Sequence, residues 1–236
     1  MNQLHNQSYQ QLIASYTGKL LRDHFGKGPE SVVVSVLQPY ITIVLRNFLT
    51  PSERILLQQH HEGIVLQMRD KLMQVVIPEM INELEKITGI RNDQYYYDWN
   101  LFRNTGMIVL VCSEMERGIE HHCPKSDFPH SRELTTELLR MNELTLKIPD
   151  HIHSYELNAK SLLIVRTGVM VQLEKDLVRL GQGDLLKSVK RNMEKEYILR
   201  SKELELLLGH AIQECFVDWN YERDQSVLLL LLNPPS

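Results

Sequence analysis

Cysteine, tryptophan, surplus positive charge and long apolar runs are all scarce in this chain. Its three cysteines, Cys112, Cys123 and Cys215, are an odd and widely spaced set in 236 residues. That argues against a disulfide framework and suits a reducing compartment. The longest strongly apolar run, Val227 to Leu232, falls far short of the roughly 20 residues a membrane-spanning helix needs, and reads as a buried strand. Met1 to Gln7 holds no basic region leading into an apolar one, so no secretory signal is expected and the chain reads as cytoplasmic. Lys and Arg number 26 against 30 Asp and Glu, a formal net charge of −4. No cationic surplus is left to meet a polyanion, and nucleic acid is not among the expected partners.

What is present is an internal repeat. At a constant offset of 120 residues, Lys27-Gly28-Pro29-Glu30 falls on Lys147-Ile148-Pro149-Asp150, Arg46 on Arg166, and Gly63 on Gly183. Glu83-Leu84-Glu85 then meets Glu203-Leu204-Glu205, Gly89 meets Gly209, and Asp98-Trp99-Asn100 meets Asp218-Trp219-Asn220, using both tryptophans of the chain. A tandem duplication follows, with a first module at 1–113, a linker at 114–130 and a second, diverged module at 131–236.

The copies can be read together. Leu4, Tyr9, Leu12, Ile13, Tyr16, Leu20 and Leu21 recur at helical spacing up to Gly26, and residues 131–145 are the shorter counterpart. The β-branched runs Val32 to Val34 and Ile41 to Leu45 flank Gln38-Pro39-Tyr40 as a hairpin, repeated at Ile152 to Leu157 and Ser161 to Val165. Thr50-Pro51-Ser52-Glu53 is a helix start, with Thr50 as cap, Pro51 at the first position and Glu53 closing a capping box. Ile64, Met68, Leu72, Val75, Val76, Met80, Leu84 and Ile87 suggest a long helix ending at Gly89 and kinked at Pro78. Gln94 to Trp99 with Met107 to Cys112, and Glu214 to Trp219 with Val227 to Leu232, read as second hairpins. Each module is therefore α-β-β-α-α-β-β, and the fold class is α+β: two-layer sandwiches with largely antiparallel sheets. A duplicated module commonly stands in for a homodimer, so an intrachain pseudo-dimer is expected.

Residues with chemical potential each have a plain structural reading. His121, His122, Cys123 and His130 are ligand types, but their spacing matches no zinc pattern. His151 and His153 share one face of a strand. Asp98 and Asp218 precede turns whose amides need acceptors. Gly26-Lys27-Gly28 lacks the spacing of a phosphate loop. No nucleophile and base stand in order, so no catalytic residue, cofactor or metal is expected.

The succession of Gly26-Lys27-Gly28-Pro29-Glu30, a strand pair, Phe48-Leu49-Thr50-Pro51-Ser52-Glu53 and a long helix carrying Arg69 resembles the MpsC-like family. Its members are C components of a sodium-translocating, membrane-potential-generating system. The resemblance covers residues 5–112, and reaches 131–232 only through the repeat. It implies an accessory role in cation or inorganic-carbon transport, as a soluble adaptor or regulatory module acting on a protein partner at the membrane surface. The competing reading is a small-molecule sensor or cryptic enzyme with a pocket between the modules. At the fixed offset, Gly28, Thr50, Pro51, Glu53 and Arg69 meet Ile148, Met170, Val171, Leu173 and Val189 in the second copy. Residues kept only by the first copy are not needed to build the module, so the expected contact residues are Arg69, Thr50, Glu53 and Gly28. Arg69 can recognise a carboxylate or phosphate through its planar fork, or pair with Glu53 or Asp70 on the surface.

Overall fold

Each element begins and ends close to where the sequence punctuates it. The computed structural model describes residues 2–112, 124–145 and 147–233. Helix α1 (Asn2–Phe25) stops at Gly26, whose φ of 76° is left-handed and needs no Cβ. Strands β1 (Ser31–Leu37) and β2 (Tyr40–Arg46), helices α2 (Pro51–Gln58) and α3 (Glu62–Thr88), and strands β3 (Gln94–Asn100) and β4 (Thr105–Val111) complete the first unit. The same succession returns as α4 (Ser131–Thr145), β5 (His151–Asn158), β6 (Ser161–Thr167), α5 (Gln172–Arg179), α6 (Gly183–Arg200), α7 (Lys202–Leu208), β7 (Ile212–Asn220) and β8 (Gln225–Leu232). The chain divides into two compact units, 1–123 and 124–236.

Each unit carries one four-stranded antiparallel sheet, ordered β1-β2-β4-β3 in the first and β5-β6-β8-β7 in the second. The two hairpins of a unit are thus zipped together by their inner strands. In the first unit, Ile13, Leu20 and Leu21 of α1 and Met73, Val76, Ile77, Met80 and Leu84 of α3 pack on Ile41, Ile43, Leu45, Trp99, Ile108 and Leu110 of the sheet. In the second, Leu134 and Leu138 of α4, Ile198 of α6 and Leu204 of α7 meet Leu162, Ile164, Val217, Trp219, Leu228 and Leu230. Burying an aliphatic side chain contributes about 1.5–3 kcal/mol. The helix layer over one sheet face is the α+β architecture that the hairpins imply.

The structure corrects the constant offset. Ser31 and His151 open their first strands 120 residues apart, but β5 carries an irregularity between Glu156 and Asn158. From there the offset is 121: Tyr40 corresponds to Ser161, Pro51 to Gln172 and Glu62 to Gly183. The extra residue is lost again near Ser201, so that the left-handed caps Gly89 and Gly209 return to 120. Gly63 is therefore not the counterpart of Gly183, nor Arg46 of Arg166. In this register Thr50, Pro51, Glu53 and Arg69 correspond to Val171, Gln172, Glu174 and Lys190.

The long helices differ between the units. Helix α3 is continuous through Pro78, with Ile77, Met80 and Leu84 buried around it. The second unit, which lacks the proline, is the one whose helix breaks: Ser201 ends α6 and caps α7 by accepting the Leu204 amide at 3.2 Å. The buried stripe of α3 runs through Val65, Arg69, Met73, Val76 and Ile77, while Ile64 and Val75 are exposed. Of the stretch read as linker, Phe128 joins the second core, and the Lys125 carbonyl accepts the Glu156 amide at 2.8 Å.

Candidate functional site

Helix α2 begins with the capping box its sequence announces. The Thr50 hydroxyl accepts the Glu53 amide at 3.3 Å, and the Thr50 amide donates to Glu53 Oε2 at 2.7 Å. At such a box the acid ordinarily stays near the surface, but here it turns inward. Arg69 Nε donates to Glu53 Oε1 at 2.7 Å, and Nη2 donates to Glu53 Oε2 and to the Phe48 carbonyl, both at 2.9 Å. Both side chains are 0% exposed, so the surface pairing expected for Arg69 is corrected to an interior one. The guanidinium carbon stands 4.5 Å from the Trp99 ring centroid, 4.9 Å from Phe48 and 5.9 Å from Phe25. A delocalised, weakly hydrated cation among aromatic faces tolerates this burial better than an ammonium does. Nη1, also buried, meets no hydrogen-bond acceptor.

Trp99 reaches the cation because Gly106, its partner across β3 and β4, leaves a slot: a Cβ there would fall on the indole ring. Burial alone would raise the Glu53 carboxyl. The Arg69 hydrogen bonds and charge, with the Thr50 amide, outweigh it and hold the group below the ordinary glutamate range. Removing either partner of a buried pair costs about 3–5 kcal/mol, because the other charge is stranded.

The second unit keeps the plan with different chemistry. Glu174 Oε2 accepts the Val171 amide at 3.2 Å and Lys190 Nζ at 3.0 Å, Oε1 lies 2.9 Å from the same ammonium as an ion pair, and Lys190 stands 5.5 Å from the Trp219 centroid. Val171 has no hydroxyl, so the other half of the capping box is gone. Around this clamp the interior is more polar. Where the first unit packs Leu45, Met73 and Gly106, the second has Arg166, Glu194 and Ser226, joined at 2.6 Å between Arg166 Nη2 and Glu194 and at 2.8 Å between Arg166 Nε and Ser226. Asp218 Oδ1 lies 2.6 Å from Lys187 Nζ and 3.7 Å from Arg191 Nη2. Burial, then Asp218 and Glu174, push the neighbouring Tyr221 hydroxyl well above its usual range.

Of the four expected contact residues, Arg69, Glu53 and Thr50 form one buried cluster. Gly28 belongs elsewhere: a Cβ there would lie 2.8 Å from the Gly18 carbonyl, so it permits close approach of the chain to α1. Sequence reading missed Phe25, Phe48 and Gly106 in this cluster, and Glu174 and Lys190 in the second. The available signal was Arg69 itself, four residues from both Val65 and Met73 on the buried stripe.

The other candidates are placed as follows. His151 and His153 are exposed on β5, with His153 stacked on Tyr155 at 6.4 Å. Asp98 accepts the Trp99 amide at 2.7 Å, while the turn amides of Arg103 and Arg223 are taken by Asn100 and Asn220. His121, His122 and Cys123 lie outside the described residues. Among the described residues, no group of three His, Cys, Asp or Glu side chains is placed to hold a metal ion, and no helix is long and apolar enough to cross a membrane. The second unit has a surface groove of about 600 Å³ lined by Arg140, Met141, Asn192, Tyr197 and Arg200.

Residues 5–114 match the family model described as Na+-translocating membrane potential-generating system (MpsC). The first module is thus similar to that family, in line with its motifs, and the match does not extend to the second. No curated protein and no solved structure matches the chain.

Proposed function

From the match of residues 5–114 to the MpsC family, we propose that the protein is an accessory component of a sodium-translocating or membrane-potential-generating system, acting as a cytoplasmic binding module on a protein partner. The match is the observation that carries this reading. The geometry supports binding over catalysis: Arg69, the most distinctive charge of the first module, is spent on Glu53 and fixes the start of α2. The clamp thereby sets the position of Pro51, Ser52, Arg54 and Ile55, all exposed on α2, and partner contact centres there.

The test is affinity purification from host membranes solubilised in mild detergent, comparing wild type with Ile55→Asp and with the surface control Arg103→Ala. Wild type and Arg103→Ala should recover the same ion-transporting membrane subunits, and Ile55→Asp should lose them while staying folded. Equal recovery by all three removes the assignment to α2, and recovery of no transport component removes the accessory role. A small-molecule sensor is the second reading, favoured by the groove at Arg140 and Arg200. A saturable, metabolite-dependent slowing of hydrogen exchange confined to that groove would support it.

A further inference from the structure

We infer that Arg69 is a carboxylate-binding site with an internal occupant, Glu53, and that an acidic side chain of the protein partner replaces Glu53 when α2 swings away. This rests on the reading that the first module engages a protein partner. Glu53 is the one buried residue among the eight of α2, while Ile55 is 56% exposed and Leu56 and Leu57 are only partly covered. The helix is therefore held to its unit by an ion pair more than by apolar burial. Elements with few buried apolar contacts lie at the low end of local stability. Simple opening would strand the guanidinium, which is why α2 stays docked alone. An incoming carboxylate removes that penalty, because one bidentate pair is exchanged for another and Glu53 regains water.

Arg69 has the features of a receptor as well as of a structural partner. Its Nε and Nη2 edge presents the fork that fits a carboxylate, Phe25, Phe48 and Trp99 wall it, and Nη1 is a buried donor that Glu53 leaves unused. A second acceptor atom on the incoming group can take that donor. The second unit supplies the contrast. Glu174 is likewise the one buried residue of α5, but Lys190 offers a point charge without a fork. Exchange of carboxylates is confined to the first module.

The experiment uses the whole chain and sodium formate, with sodium chloride at equal ionic strength as the reference. In wild type, formate should speed hydrogen exchange of the α2 amides, by roughly tenfold at about ten times its dissociation constant, with α3 and α5 unchanged. In Glu53→Ala, formate should raise the midpoint of thermal unfolding saturably, and Arg69→Met on that background should abolish the rise. Glu174→Ala should show no such response.

The site is overturned if folded Glu53→Ala answers formate no better than chloride, or if the Arg69→Met background answers equally. Should Glu53→Ala fail to fold, unchanged α2 exchange in wild type overturns it alone. A normal formate response beside a failed membrane purification sinks the partner reading and the partner's part in the exchange, while the small-carboxylate site stands. The opposite pair of results sinks the site and leaves the accessory role.

Discussion

A double-mutant cycle on Glu53 and Arg69 tests the account of the clamp most directly. Arg69→Met keeps a side chain of similar length but leaves the Glu53 carboxylate without its cation in a fully buried place. Glu53→Leu strands the guanidinium in the same way. Each single change is expected to cost about 3–5 kcal/mol, a large part of the roughly 5–15 kcal/mol that holds a domain. The double variant buries neither charge. It forfeits the hydrogen bonds from the Thr50 amide to Glu53 Oε2 and from Arg69 Nη2 to the Phe48 carbonyl, about 0.5–1.5 kcal/mol each, and should lie within about 3 kcal/mol of wild type. The coupling is then on the order of 5 kcal/mol, beyond the 0.5–3 kcal/mol usual for touching residues. Global opening is read from hydrogen exchange in peptides of β3 and β4, with β7 and β8 as the internal reference, since two units need not unfold together. A double variant that loses about the sum of the single losses would refute the reasoning, because additivity means the two groups are hydrated and independent.

The same carboxyl makes a prediction in pH. Its folded value lies below the unfolded value of about 4.3. The stability it contributes is therefore whole above that pH and is lost as the pH falls through the lower, folded value. Exchange of the α2 amides, corrected for intrinsic rates, should accelerate in that acid window and lose this dependence in Glu53→Gln; acceleration already at pH 6 would contradict the assignment. In the second unit, Arg166→Leu combined with Glu194→Met installs the apolar pair of the first, and should be neutral or stabilising by up to about 4 kcal/mol while either change alone destabilises. Denaturant midpoints with exchange readout in β6 and β8 decide it.

Much of the fold was legible because its signals are local. Gly26, the Thr50 to Glu53 box and Gly89 mark helix ends through their own backbone chemistry, and the β-branched runs Val32 to Val34 and Ile41 to Leu45 mark the first hairpin. The turn amides that Asp98 and Asp218 were expected to serve are taken by Asn100 and Asn220, two residues on in each copy. The position of Arg69 was not legible, since a helix stripe counted only through apolar residues chose Ile64 and Val75 and passed over an arginine in a core position. Its partner Glu53 lies 16 residues away, on another helix, and nothing in a capping box says that its acid will turn inward. The fixed offset failed for a related reason. Chance identities such as Gly63 with Gly183 favoured one frame, and a β irregularity leaves no mark in composition.

That irregularity in β5 makes the two halves of the chain behave like the scales of a vernier: they coincide at Ser31 and His151, run one division apart through α2 and α3, and coincide again at Gly89 and Gly209. The clamp lies on the displaced stretch, yet its tryptophan lies on the coincident one. The acid and cation of each unit thus meet an indole numbered in a different frame. What persists between the halves is a spatial appointment, not a column of residues. Comparisons of such modules that forbid insertion will score Arg69 against Val189 and report a lost charge, although a cation still waits beneath the second indole, one position along.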